Sequence, residues 1–205
     1  MPVDVKGVRE TIKALRKFDP ALLQEMNKEI KGAMIPIRDK ARGYAPSPIP
    51  GNLYGWNENR VGKKITAKTS AFRTATPDGQ ARLFPLYDYQ TVVKGIYYSQ
   101  APSKRNKNGW RALYFVANKS AAGAIYETAG RKNPGGDPNS KSNNPGAGAN
   151  FISRMGPLYG DTQAQRGRMI FRAWKEEEGK AIAAVVNAVN KTIEAFNSGR
   201  YSKAA

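Results

Sequence analysis

The sequence predicts an α+β fold: N-terminal helices and a long C-terminal helix packed on a small antiparallel sheet, with a long polar loop. Three observations predict it. Apolar residues recur every three or four positions at both ends of the chain. The middle is rich in Val, Ile, Tyr, Phe and Thr, cut by Gly, Pro, Asn and Asp. Residues 131–150 carry no hydrophobic side chain larger than alanine. With 205 residues there is room for one α+β domain, 1–205, with a core of its own. Its parts are N-terminal helices (1–46), a sheet region (52–120), an extended loop (131–150) and the C-terminal helix (162–198).

In residues 5–17, Val8, Ile12 and Leu15 stand at helical spacing. Asp19 then suits a helix N-cap, and Pro20 the first helical position, where its missing N–H costs nothing. A second helix is expected from Pro20 to about Tyr44, with Leu22, Met26, Ile30, Met34 or Ala33, Ile37 and Ala41 on one face. Pro36 lies inside it. An interior proline costs about 3 kcal/mol, so a kink or a break is expected there. The run Ala45-Pro46-Ser47-Pro48-Ile49-Pro50-Gly51 ends the element.

Strands are expected near Lys64–Thr69, Gln90–Ser99 and Trp110–Ala117, where aromatic and β-branched residues crowd together. Between the last two lies a basic turn, 102–109, read as the tip of a long hairpin. Ala121–Gly130 reads as a short helix stopped by its glycine. Residues 131–150 cannot form a core and are expected to be a loop held by contacts in an assembly. Thr162-Gln163-Ala164-Gln165 has the form of a capping box. After it Ile170, Trp174, Ile182, Val185, Val189, Ile193 and Phe196 recur at helical spacing, until Asn197-Ser198-Gly199 stops the helix. From Gln165 to Asn197 such a helix would run about 50 Å.

Composition removes most enzyme designs. The chain has no cysteine and no histidine. Disulfides, thiolate metal sites, imidazole ligands and Ser-His-Asp triads are therefore excluded, and no cofactor is expected. Walker A and Rossmann glycine patterns are absent as well. Glu127 is the one acid among the apolar residues of 121–130, and an ion pair with a basic residue explains it better than catalysis. Glu176, Glu177 and Glu178 wrap around a helix and do not converge; Asp137 stands alone, too little for calcium. The net charge is +18, with a surplus of +4 in 1–46, +8 in 47–118 and +6 in 119–205. Such a field attracts phosphates or acidic protein surfaces.

Two groups of residues are candidates for contact. Lys104, Arg105, Lys107 and Arg111 adjoin Trp110, Tyr97 and Tyr98, so cationic and stacking surface occur together; Arg131 and Lys132 add charge at the start of the polar loop. The blander reading puts the aromatics in the core and leaves the cations to solubilise a hairpin tip. On the C-terminal helix, Trp174, Val185, Val189 and Ile193 are expected at subunit interfaces, because one small sheet cannot bury the whole stripe. No apolar run is long enough for a membrane span, and residues 1–20 lack the apolar stretch of a secretory signal, so a protein made in the cytoplasm is expected.

Three pieces occur in a recognisable order. They are VKGVRETIKAL followed by a helix ending in ARGYAP and then GNLYGW; AIYETAG at 124–130; and GRMIFRAWKEEEGKAIAAVVNAVNKTIEAF in the terminal helix. Together they resemble the tail-completion, or neck, proteins of long-tailed bacteriophages, also described as minor tail components. The resemblance spans most of the chain. It implies helices on a small antiparallel sheet and no catalytic residues. It also implies a homo-oligomeric ring, commonly sixfold, in the virion neck, with the head–tail connector and the tail tube or tail terminator as neighbours. The packaged DNA end would then be a non-specific contact. The competing reading is a free, non-specific, basic nucleic-acid-binding protein.

Overall fold

The computed structural model describes residues 8–49, 53, 56, 73–75, 81–83, 85, 87–105, 109, 111–139 and 146–198. Along them run α1 (Val8–Phe18), α2 (Pro20–Gly43), β1 (Arg73–Ala75), β2 (Ala81–Leu83), α3 (Tyr89–Gly95), β3 (Ile96–Ser99), β4 (Phe115–Asn118), α4 (Ala121–Thr128), α5 (Gly146–Arg154) and α6 (Ile170–Asn197). The strands pair as two two-stranded sheets, β1 with β2 and β3 with β4. β1 and β2 are antiparallel, with Arg73 opposite Leu83 and Ala75 opposite Ala81. The class is α+β, with a long C-terminal helix. The strand expected at Lys64–Thr69 lies outside the described residues. The chain divides into two compact units: residues 1–40, 98–117 and 173–205 form the first, and 41–97 and 118–172 the second.

In the first unit the buried side chains of the N-terminal helices are the periodic ones, Leu15 of α1 and Leu22, Met26, Ile30 and Ile37 of α2; on α6, Ala181, Ala188 and Val189 are buried, and of these only Val189 belongs to the expected stripe. Asp19 caps α2 as expected, its Oδ1 accepting the Leu22 N–H at 2.9 Å. α2 continues through Pro36 without the expected break. The proline ring deprives the Gly32 carbonyl of its helical partner. Both residues are exposed, so water can satisfy that carbonyl and the helix survives. Lys40 pairs with Glu176 at 2.9 Å and Glu177 at 2.7 Å, and Lys191 with Glu29 at 3.6 Å, which ties α2 to α6. The loop between β3 and β4 is fixed at its base. Ser103 N–H donates to Ala112 O at 2.9 Å, Tyr114 Oη to Asn27 Oδ1 at 2.6 Å, and Gln100 Nε2 to Asn27 O at 3.0 Å.

The second unit is built around aromatic rings. Trp56 packs on Tyr87 with centroids 5.3 Å apart and on Phe151 at 5.0 Å, and Tyr87 meets Tyr126 at 6.3 Å. Their polar ends are satisfied: Trp56 Nε1 donates to Pro85 O at 2.8 Å and Tyr87 Oη to Pro46 O at 2.9 Å. The strand expected over Gln90–Ser99 is in fact helix α3 followed by the four residues of β3. Asp88 caps α3 by accepting the Thr91 N–H at 2.6 Å, and Val92 and Ile96, four residues apart, are both fully buried. Helical capping and packing override the β-branched composition. Gly95 is required there, because a Cβ would meet Ser120 Cβ at 2.9 Å and overlap the Asn118 amide.

The expected helix at 121–130 is α4, capped by Ser120 and ended before Gly130 at φ +78°. The polar loop is shorter than expected, since its last five residues begin α5. Phe151 and Ile152 give that helix apolar side chains to bury, which rescues a weak glycine-rich start. Residues 131–139 are held by contacts within the unit. Gln163 Nε2 donates to Lys132 O at 3.0 Å, and Gly136 lies where a Cβ would be 3.0 Å from Ala149 N. The capping box is not formed either: Thr162 makes no side-chain cap, 163–165 is a 3-10 turn, and the long helix starts at Ile170.

Candidate functional site

The expected contact residues divide into three groups. Lys104, Arg105 and Arg111 are exposed on the loop between β3 and β4, in the first unit. Lys107 and Trp110 lie outside the described residues. Tyr114, next to this loop, is half-buried, and burial pushes its hydroxyl up to about 12, with the positive charge of Arg16 acting against the shift. Arg131 and Lys132 belong to the second unit and serve its fold. Arg131 Nε donates to Arg166 O at 2.7 Å, its guanidinium lies 4.7 Å from the Phe171 ring centroid, and Lys132 accepts from Gln163 through its carbonyl. Only the Lys132 side chain remains exposed.

The stripe expected at subunit interfaces also divides. Val189 is 4% exposed and belongs to the core of the first unit, so its interface assignment is corrected: its side chain is already buried within the single chain. Trp174 and Val185 are half-buried. Ile193 and Phe196, at 39% and 40%, stay exposed. With Thr11, Ala14, Leu15 and Thr192 they line an apolar groove of about 90 Å³ between α1 and the end of α6.

The most constrained polar cluster surrounds Glu127, in the second unit. Its Oε2 accepts the N–H of Met169 at 2.6 Å and of Ile170 at 3.2 Å, and its Oε1 that of Phe171 at 3.0 Å. These amides open α6, where partial positive charge favours an anion. The partner of this buried acid is thus a helix N-terminus, where an ion pair had been expected. Burial pushes the Glu127 carboxyl up from its ordinary value, while the three N–H donors and the Arg131 charge pull it back. Gly167 leaves room for the carboxylate, since a Cβ there would overlap it. Just before α6, Arg168 is 4% exposed; its Nη1 donates to Tyr126 O and Ala129 O at 2.9 Å each, and its Nε to Gly156 O at 3.0 Å. One turn later, Arg172 lies 3.9 Å from the Tyr44 ring and 4.6 Å from that of Tyr159. Arg42 donates twice to Ile96 O, at 3.1 and 2.7 Å.

The hydrogen bonds of this cluster tie the end of α4 and the start of α6 together, while Arg131 Nη2 is buried without a hydrogen-bond partner. Arg42, Arg168 and Arg172 were not singled out from the sequence. The available signal was an arginine interrupting an apolar run, as in Arg168 before Met169-Ile170-Phe171. Among the described residues no three acids come together to hold a metal, and no helix is long and apolar enough to cross a membrane. Comparison with known proteins finds no matching family model, no matching curated protein and no matching solved structure.

Proposed function

We propose that this chain is a structural protein of the virion neck or upper tail of a long-tailed bacteriophage, without enzymatic activity. Its copies form a homo-oligomeric ring, sixfold in the commonest arrangement, that completes the tail and joins it to the head connector. The observation that supports this reading is where the three resembling segments meet. ARGYAP contributes Arg42 and Tyr44, AIYETAG contributes Tyr126 and Glu127, and GRMIFRAW contributes Arg168 and Arg172. In the second unit these side chains join α2, α4 and α6 through caps and cation–ring contacts. Shared residues of that kind belong to a scaffold, as a structural family requires. The exposed Ile193 and Phe196 supply apolar surface for neighbours. Purified, nuclease-treated protein is expected to give a discrete oligomer by mass measurement and rings by negative-stain microscopy. A monomer at every concentration, with no ring formed on added connector, would overturn the proposal.

A further inference from the structure

The charge of the first unit is organised more specifically than net charge reveals. From 89 to 126 the chain contains no acid and six cations. Most of the apex of that run lies on the loop between β3 and β4, whose base is tied to α2 through Asn27. Four cations elsewhere in the unit have carboxylate partners: Arg38 with Asp39, Lys40 with Glu176 and Glu177, Lys180 with Glu177, Lys191 with Glu29. Lys104, Arg105 and Arg111 are exposed and have no such partner among the described residues. The surface continues onto α1. Arg16 lies close enough to Tyr114 for its charge to act on that hydroxyl, and Arg9, Lys13 and Arg16 are exposed at helical spacing.

We infer that Lys104, Arg105 and Arg111, continued by the basic face of α1, form a contact for the phosphate backbone of nucleic acid, independent of base sequence. An acidic protein partner fits less well. Protein interfaces centre on apolar anchors and are depleted in charge. The exposed residues of 100–105 are Gln100, Ala101, Pro102, Lys104 and Arg105, with no large apolar side chain among them. A phosphate backbone asks only for spaced, unpaired cations on a fixed support, and the energy comes from released counterions. Arg131, bound to its own fold, is not part of the surface. The inference does not depend on the ring reading, because a monomer can bind and a ring can fail to.

The test is binding of the full chain to a short mixed-sequence DNA duplex, followed by fluorescence anisotropy across a salt series. The wild type is expected to bind with a steep salt dependence and no preference between unrelated sequences. K104A/R105A/R111A should make the slope of log affinity against log salt shallower by about 3, one phosphate contact being worth about 0.9. A control that removes equal charge elsewhere, K94A/K180A/K191A, should shift it by less than about 1. Circular dichroism confirms that both variants fold, and the single variant Lys104→Ala, expected to shift the slope by about 1, stands in if the triple one does not. Absence of binding at low salt, an equal effect of the control, or loop-dependent binding to polyglutamate without binding to the duplex would each overturn the inference.

Discussion

Glu127 and Arg168 cap each other's helices. Glu127, on α4, accepts the first amides of α6, and Arg168, just ahead of α6, donates to carbonyls at the end of α4. Negative charge meets an N-terminus and positive charge a C-terminus, so both macrodipoles are answered by the same pair of segments. The two helices are held by groups some 42 residues apart in sequence.

Removing the carboxylate should therefore cost stability. Glu127→Ala leaves buried amides of Met169, Ile170 and Phe171 without an acceptor, and a loss of about 3 kcal/mol is expected. Glu127→Gln keeps one acceptor but turns an NH2 group toward N–H donors, for a loss of about 2 kcal/mol. Urea unfolding measures both, and an unchanged midpoint for Glu127→Ala would contradict the capping role.

Two carboxyls should respond to pH in opposite senses. Burial raises Glu127, so the folded chain keeps a proton that the unfolded chain has already lost. Its contribution to stability then falls as pH rises from the ordinary glutamate range through the raised value. Asp88 is lowered by hydrogen bonds from the Thr91 side chain and backbone N–H. Its contribution is present above the ordinary aspartate range and is lost as pH falls through the lowered value. Carbon-13 carboxyl titration is expected to show Glu127 above, and Asp88 below, the values of the exposed acids. The order reversed would contradict the dominance of burial over the N–H donors at Glu127 and the hydrogen bonding at Asp88.

Two glycines should respond in opposite ways to the same substitution. Gly167→Ala forces a methyl into the Glu127 carboxylate, which is expected to destabilise by about 2–3 kcal/mol. Gly32 lies mid-helix in α2, where an added methyl would meet nothing within 4 Å, so Gly32→Ala should stabilise by about 0.5–1 kcal/mol. Thermal unfolding of the two variants decides the point.

What could be read from the sequence depended on whether the deciding contact was local. α1, α2 and α6 declare themselves by spacing, and Asp19-Pro20 marks its own helix start. The start of α6 is not legible, because its cap is Glu127 on another helix, whereas the nearby Thr162-Gln165 pattern looks like a cap and is unused. Residues 90–95 have strand-like composition, but Asp88 and the burial of Val92 and Ile96 make them helix. Exposed cations such as Lys104 and Arg105 can be read directly, since no packing partner decides their position. Arg131 cannot, because the carbonyl it binds is brought to it only by folding.

Exposed and core positions on α6 should separate experimentally if the proposed ring forms. Ile193→Asp with Phe196→Asp should leave the melting temperature within a few degrees of wild type, since both side chains are exposed, while weakening self-association. Val189→Asp should unfold the first unit, because it buries an unpaired charge. Sedimentation and melting curves for the two variants are expected to show assembly lost with fold retained in the first, and fold lost in the second.

The joining role is tested most directly by electron microscopy of lysates from a phage genome lacking this gene. Filled heads and separate tails, with joined virions restored by supplying the chain in trans, are the predicted result. Normal joined virions from the deleted genome would contradict it.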